Sequence, residues 1–308
     1  MRFLKLTLTI IVCFWGLQYS AAQQQSMFTQ YMFNALAINP AYTGTQEAIV
    51  ATALARQQWV GVDGAPNTET FYIHSPINET NLGLGFSAMH DQIGVSNQYG
   101  VFFSTAYRLP LGDGKRLSFG LQGGLSYYGE NLSQVVADDQ TFLSGDLSSF
   151  LPSFSAGLYY YTRRFYAGVS IPQLNNFSVD TPNSLLSATT KLVRHYFIAS
   201  GYVFDINRDL RLKPNILVKM VPGAPLEVDL NANLLIKDTF WVGLSWRSLE
   251  SLDLITQVNI TKSLSFGYAY DLALGSQISR MGSGSHEVMV SYRFSLDKTK
   301  FITPRHFF

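Results

Sequence analysis

The stretch LEVDLNANLLI, Leu226 to Ile236, alternates apolar and polar residues over its whole length. This period of two is typical of a β-strand, because successive side chains point to opposite faces. The segments 117–127 and 264–270 repeat the pattern. In a soluble β-sandwich the apolar face would point inward. Aromatic residues at the strand ends and segment lengths near ten residues instead favour an apolar face that contacts lipid.

Composition supports the lipid-facing interpretation. Charged residues make up 14% of the chain, against about 25% in ordinary soluble domains. No stretch after Ala22 has the roughly 18 uncharged apolar residues that a membrane helix needs. A closed β-barrel is the remaining way to span a bilayer, because closure satisfies every backbone hydrogen-bonding group. The net charge of +1 gives no reason to expect a nucleic-acid partner.

The first 22 residues resemble a secretory signal peptide. Arg2 and Lys5 precede an apolar run, and the small residues Ser20 to Ala22 precede Gln23. We therefore expect residues 1–22 to be removed and the mature chain to start near Gln23. Cys13 is the only cysteine and lies in this leader, so the mature protein is expected to have no disulfide and no cysteine-based metal site.

Counting alternating segments predicts an all-β transmembrane antiparallel barrel of fourteen strands within residues 45–296. The predicted strands are 47–57, 68–75, 81–90, 98–109, 116–128, 151–161, 165–171, 192–204, 210–221, 226–236, 240–247, 252–260, 263–272 and 286–294.

Connection lengths predict how the barrel is oriented. Bacterial barrels have short periplasmic turns and longer outer loops. The predicted connections at 162–164, 207–209, 237–239 and 261–262 are short and follow even-numbered strands, whereas the long ones follow odd-numbered strands. This parity predicts an outer-membrane protein of a Gram-negative bacterium with both termini in the periplasm.

The segment before the first strand, FTQYMFNALAINPAYTG from Phe28 to Gly44, has apolar residues at helical spacing. We predict a short helix, ended at Asn39-Pro40 because proline lacks a donor and disfavours a helical residue before it. Within the periplasmic segment 23–44, this helix either plugs the lower mouth of the barrel or lies flat on its inner rim. The predicted plug residues are Phe28, Tyr31, Met32 and Leu36.

The chain resembles the PorP/SprF family. The resemblance is carried by Phe28 to Gly44, by RQQWVGVDGAPNT from Arg56, by GLGFSAMHDQIG from Gly83, by SGSHEVMVSYRF from Ser283 and by the closing PRHFF. It implies an outer-membrane barrel of the type IX secretion and gliding apparatus of Bacteroidota, associated with secretion or surface attachment of cargo. The middle, from Leu111 to Lys262, is similar only in general pattern.

The family-like motifs fall on predicted outer loops one, two and seven. Strands one and fourteen adjoin at closure, so these loops should form one patch that docks the end domain of a secreted adhesin. The alternative is that glycine and proline merely shape a tight loop and that the tryptophan belongs to the outer aromatic belt. The candidate partner-binding residues are Trp59, Val60, Gly61, Asp63, Pro66, Asp91 and His286.

Other predicted sites are electrostatic. Arg211, Lys213 and Lys219 on strand nine and Glu227 and Asp229 on strand ten are expected to form a cross-strand ion-pair ladder in the lumen, with a pore-selectivity role as the alternative. Outer loop three is acidic and could bind Ca²⁺ through oxygen ligands, but a solvated acidic loop is the favoured interpretation. Its acidic residues are Glu130, Asp138, Asp139 and Asp146.

No catalytic signature is present, so we expect neither an enzyme nor a cofactor. The tail, residues 297–308, is expected to contact periplasmic or outer-membrane secretion components, and the outer face of the barrel is expected to contact lipid. Two functions remain open: a component that holds or helps export surface proteins, or an uptake channel for small or hydrophobic ligands.

Overall fold

The computed structural model describes residues 27–78, 80–131, 147–175, 178–179, 190–191, 193–248, 250–274 and 282–295. The predicted signal peptide, the acidic residues Asp138, Asp139 and Asp146, and the tail at 297–308 lie outside these ranges. In the part of the chain that is described, no helix is both long and apolar enough to cross a bilayer.

Fourteen antiparallel strands form one closed barrel, as the alternation predicts. The strands are β1 Ala48–Gln57, β2 Asn67–Pro76, β3 Leu82–Ile93, β4 Ser96–Gly112, β5 Lys115–Glu130, β6 Leu147–Tyr161, β7 Phe165–Ile171, β8 Tyr196–Tyr202 continued by Phe204–Asp205, β9 Leu210–Met220, β10 Glu227–Ile236, β11 Phe240–Arg247, β12 Ser251–Asn259, β13 Leu264–Ala273 and β14 Ser285–Ser295. A two-residue pairing of Ser178–Val179 with Thr190–Lys191 lies outside the barrel sheet.

Closure is made by β1 and β14, which pair from Ala48 opposite Ser295 to Gln57 opposite His286. Closure leaves the barrel without a sheet edge, so the strand hydrogen bonds are satisfied within the wall.

The apolar face of the strands points outward, as predicted. Phe103, Leu121 and Phe150 are 68%, 61% and 72% exposed, respectively. The alternate residues face the lumen and are mostly buried and polar, as the burial pattern of β10 illustrates. An apolar exterior around a polar interior is the arrangement of a transmembrane barrel and the reverse of a soluble sandwich.

Strand bounds differ from the prediction chiefly at β3 to β6. β3 extends to Ile93 and β4 begins at Ser96, so predicted outer loop two is reduced to Gly94 and Val95. Gly94 has φ +57°, which suits a tight hairpin turn. The extra length appears because hydrogen-bonded pairing between β3 and β4 continues through polar residues up to Ile93 opposite Ser96.

The predicted helix near the N-terminus is wrong in type. The structure has three single 3₁₀ turns, at Tyr31–Phe33, Ala35–Ala37 and Pro40–Tyr42. Asn34 interrupts the first two with φ −139° and ψ 70°, and Asn39 is extended before Pro40, with its side chain accepting a hydrogen bond from the Ala41 backbone N–H. Contacts with the barrel wall therefore override the helical spacing of the apolar residues.

Candidate functional site: a segment inside the barrel

Met27–Gly44, called the lumen segment below, lies inside the barrel. Its contacts follow the wall around in one direction: Thr29 meets β13 and β14, Tyr31 meets β10, Ile38 meets β7, and Thr43 meets β4. Sixteen of its eighteen residues are buried, including the four predicted plug residues. The segment therefore lies against the inner face of the wall and contacts strands that are far apart around it.

One end of the lumen segment is held by charge. The Glu287 carboxylate accepts hydrogen bonds from the backbone N–H groups of Thr29 and Gln30, each at 2.8 Å. The Thr29 hydroxyl donates to Asp271 at 2.8 Å. Arg56 bridges Asp271 at 2.7 Å and Glu287 at 3.2 Å, and donates to the Thr29 hydroxyl at 3.0 Å. Such charge-assisted bonds are among the stronger hydrogen bonds in proteins.

A second charged group lies beside the first. Arg247 pairs with Asp229 at 3.3 Å and lies 3.9 Å from Asp253. The Tyr31 hydroxyl donates to Asp229 at 3.4 Å and accepts from Asn231 at 2.7 Å. Burial raises the pKa of Tyr31 well above its usual value, so this hydroxyl keeps its proton and remains a donor.

The other end of the lumen segment is held by close backbone packing. A Cβ at Gly83 would lie 2.5 Å from the Thr43 carbonyl oxygen, and one at Gly168 would lie 2.9 Å from Asn39 Nδ2. A Cβ at Gly120 or Gly157 would overlap the segment more severely. The Asn39 amide donates to the Leu158 carbonyl at 2.9 Å. Only glycine lets the wall approach the segment this closely.

Of the five predicted lumen charges, only Lys219 and Glu227 pair with each other, so no ladder forms. Register places Arg211 opposite Leu235 and Lys213 opposite Asn233, so these two basic residues and the acidic residues lie at opposite ends of their strands. Arg211 pairs with Asp205 at the end of β8 and with Asp238 in the turn after β10. Lys213 donates to the Met32 carbonyl at 3.0 Å, and Asp229 pairs with Arg247. Glu227 does pair across strands, with Lys219 at 3.3 Å.

The predicted outer loops one and seven are joined by backbone hydrogen bonds. The Val60 N–H donates to the Gly284 carbonyl at 2.9 Å, and the Ser283 N–H donates to the Val60 carbonyl at 2.7 Å. Loop one also meets the β3–β4 turn, where the Gly94 N–H donates to the Gly64 carbonyl at 2.9 Å. The three connections therefore form one continuous surface, called the loop surface below.

The structure distributes the predicted docking residues over three environments. Gly61 and Asp63 are exposed, Trp59 and Val60 are half-buried, and Pro66 is buried. Asp91 is part of β3 and its carboxylate accepts a hydrogen bond from the Thr68 hydroxyl inside the barrel, because β3 is longer than predicted. His286 contacts Tyr268 and Tyr270 on the outward face. Asp91 and His286 therefore do not belong to the loop surface.

Sequence reasoning missed the buried charged residues that hold the lumen segment or lie beside those that do. Arg56, Arg247, Asp253, Asp271 and Glu287 are 0–3% exposed and occupy lumen-facing positions of their strands. The sequence did carry a signal for these residues, because each alternates along its strand with outward-facing apolar residues. Among the described residues, no group of three or more His, Cys, Asp or Glu is arranged to hold a metal ion.

A closed fourteen-stranded wall, apolar outside and polar within, defines the class of outer-membrane β-barrel proteins. The family model of the type IX secretion system membrane protein PorP/SprF matches residues 20–292. The chain belongs to this PorP/SprF family.

Solved structures resemble the chain in fold alone. The CymD monoaromatic hydrocarbon channel has a TM-score of 0.53 at 13% identity, covering 90% of this chain and 95% of that one. The Acinetobacter baumannii outer membrane protein Omp33 has a TM-score of 0.47 at 13% identity, covering 81% and 100%. A Pseudomonas aeruginosa FadL homologue has a TM-score of 0.46 at 11% identity, covering 87% and 94%. No curated protein matches the sequence.

Proposed function

We propose that this barrel assists the secretion or surface attachment of cargo proteins by binding the end domain of a secreted protein, such as an adhesin, on the loop surface. The observation that carries the proposal is the junction of loop one with residues 283–284 and with the β3–β4 turn. A surface fixed by backbone hydrogen bonds loses little conformational entropy when a partner binds. Family membership supports the same role, and the protein is not proposed to be an enzyme.

Orientation is part of the proposal. The short turns after even-numbered strands, such as Thr162–Arg164, are assigned to the periplasm. Ala48 and Ser295 pair with each other at that end of the barrel, which supports placing the C-terminal tail in the periplasm, where it would meet other secretion components. Residues 1–22 are the proposed signal peptide. The loop surface then faces the cell exterior.

We also propose that the lumen segment acts as a plug. Its contacts around the wall and its burial support this role. The neighbouring lumen groups are of two kinds: carboxylates, guanidinium groups and amides near Thr29 and Tyr31, and a buried apolar cluster that includes Tyr159, Phe197 and Leu217 of the wall. The side chains of this apolar cluster on the wall, such as Phe197 at 2% exposure, are covered while the segment is in place, so they offer no free surface to a hydrophobic ligand. This favours attachment over the uptake-channel alternative.

The docking role predicts a separable defect in the double variant Trp59→Ala/Asp63→Ala. Loss of these two side chains from the loop surface should lower the amount of cargo displayed on intact cells, while the barrel still assembles. Surface display is measured by antibody labelling, and assembly by heat-modifiable mobility in gels. Arg163→Ala/Asp209→Ala, which changes two short-turn residues, is the matched control. Normal display by the Trp59 and Asp63 variant would count against docking.

A further inference from the structure

The two halves of the lumen segment are anchored in different ways. Asn39–Gly44 is seated against wall glycines, where the wall backbone leaves no free space. Met27–Phe33 is held by side-chain contacts. Glu287, Asp271 and Arg56 bind at Thr29 and Gln30, and Lys213 binds at Met32. Apolar side chains of this half pack in the buried core, and within this half the wall glycine Gly267 meets only the side chain of Gln30. Side-chain contacts can exchange for water, whereas a backbone seated among glycines must move the wall. Met27–Phe33 is therefore the half that can leave first.

The charged side chains near Thr29 lie at one level of the wall. Each charged residue lies within two positions of one end of its strand. In every case that end adjoins a connection that follows an odd-numbered strand. We call this set the charged belt; it consists of Arg56, Asp229, Arg247, Asp253, Asp271 and Glu287. Four carboxylates face two guanidinium groups, so the belt carries two excess negative charges when all its groups are ionised.

Asp253 shows that the belt is not fully neutralised by its neighbours. Its side chain is 0% exposed and faces the lumen beside Arg247. Neither carboxylate oxygen has a hydrogen-bond partner among the described residues, and the nearest guanidinium nitrogen of Arg247 is 3.9 Å away. Asp271 lies directly opposite on β13. Paired carboxylates on one face repel each other, and a cation between or near them would relieve that repulsion.

We propose that the protein is a gated pore for small hydrated cations, in which Met27–Phe33 is the gate and the charged belt is the selectivity element. In the closed state Thr29 and Gln30 occupy the belt. When Met27–Phe33 withdraws, the four carboxylates line the passage, and a ring of acidic side chains favours cations over anions. This activity is independent of the proposed docking role.

Thr29→Ala tests the gate without changing any wall residue. It removes the hydroxyl bonds to Asp271 and Arg56, and because hydrogen bonds to charged groups are worth about 1.5–3 kcal/mol, open probability in planar bilayers should rise about tenfold or more. Thr43→Ala is the matched control, because its hydroxyl bonds Ser104 in the fixed half, and it should not raise open probability. Glu287→Gln, which weakens the same contact from the wall, should act like Thr29→Ala.

Adding Asp253→Asn to Thr29→Ala tests the belt. The reversal potential in a potassium chloride gradient should shift towards the anion side, because one unpaired carboxylate is lost. Thr29→Ala/Asp209→Asn, which changes an exposed short-turn carboxylate, should keep the cation preference. The proposal is overturned if Thr29→Ala and Glu287→Gln, both assembled by the gel criterion, open no more than Thr43→Ala. It is equally overturned if Asp253→Asn leaves the reversal potential unchanged.

Discussion

Glu287 and Arg56 are both buried charges of the lumen wall, and each is stabilised by the other. Arg56 contacts Glu287, Asp271 and Thr29 together. Burying an ion is costly unless it is paired and hydrogen-bonded. These residues therefore couple the lumen segment to β1, β13 and β14 through one set of contacts.

Arg56→Met is expected to destabilise the barrel strongly. It leaves two buried carboxylates without their cation, and breaking a buried pair in this way costs about 3–5 kcal/mol. The free energy of unfolding is measured by denaturant titration in lipid vesicles. The control is Arg116→Met, because Arg116 lies 3.9 Å from a Glu47 carboxylate whose side chain is 62% exposed, and such pairs contribute about 0–1 kcal/mol. An equal decrease in the free energy of unfolding in both variants would contradict this account of Arg56.

At the scale of residues, sequence identified which positions face the lumen but not which charges meet. Arg211 and Glu227 both face inward as predicted, yet β9 and β10 pair in a register that separates them. Arg56 is 231 residues from Glu287 along the chain. No local pattern reports a contact across that separation, because it exists only when the barrel closes.

The strands themselves follow directly from alternation. Leu121 on β5 is 61% exposed, whereas its neighbours Gly120 and Gln122 face the lumen. A one-residue shift would turn every apolar side chain of β5 towards the interior. The pattern therefore fixes which face each strand turns to lipid.

Leu121→Arg is expected to lower the free energy of unfolding by about 2–4 kcal/mol, the cost of an arginine on the lipid face at the bilayer midplane. Denaturant titration in lipid vesicles measures this free energy of unfolding. Ile206→Arg serves as the control, because Ile206 is similarly exposed, at 57%, but lies in a short turn, and its cost should be about 0–1 kcal/mol. Similar costs at the two positions would argue that the outer face does not contact hydrocarbon.

Elements whose apolar residues do not alternate regularly with polar ones were predicted less well. The lumen segment has apolar residues at helical spacing but forms 3₁₀ turns, since its backbone must follow the wall. The β3–β4 hairpin is longer than predicted because polar residues near Asp91 face a polar lumen and not solvent. In both cases the local environment was decided by other strands.

As a whole molecule, the barrel is a closed wall around a folded segment of its own chain. The lumen segment contacts β4, β7, β10 and β14, which are far apart around the wall. The number and spread of these contacts support the proposed role of the segment as a plug.

Deletion of residues 23–37 is expected to open the lumen. It removes Thr29, Gln30 and the first two 3₁₀ turns while leaving Asn39–Gly44 on the wall glycines. Single-channel conductance in planar bilayers should rise from near zero to a continuous open level. Deletion of Lys298–Phe308, at the other end of the chain, provides the control. An unchanged conductance in a correctly assembled deletion variant would rule out a plug.

Sequence alone determined that this protein is a fourteen-stranded barrel with an apolar outer face, since alternation and the shortage of charge act residue by residue and need no knowledge of neighbours. Tertiary structure alone decided the charged belt and the contacts of Asn39–Gly44 with wall glycines, whereas the proximity of loops one and seven was already predicted from the strand order. Each depends on contacts that exist only in the closed barrel. Strand register and close packing of the interior determine which residues make those contacts.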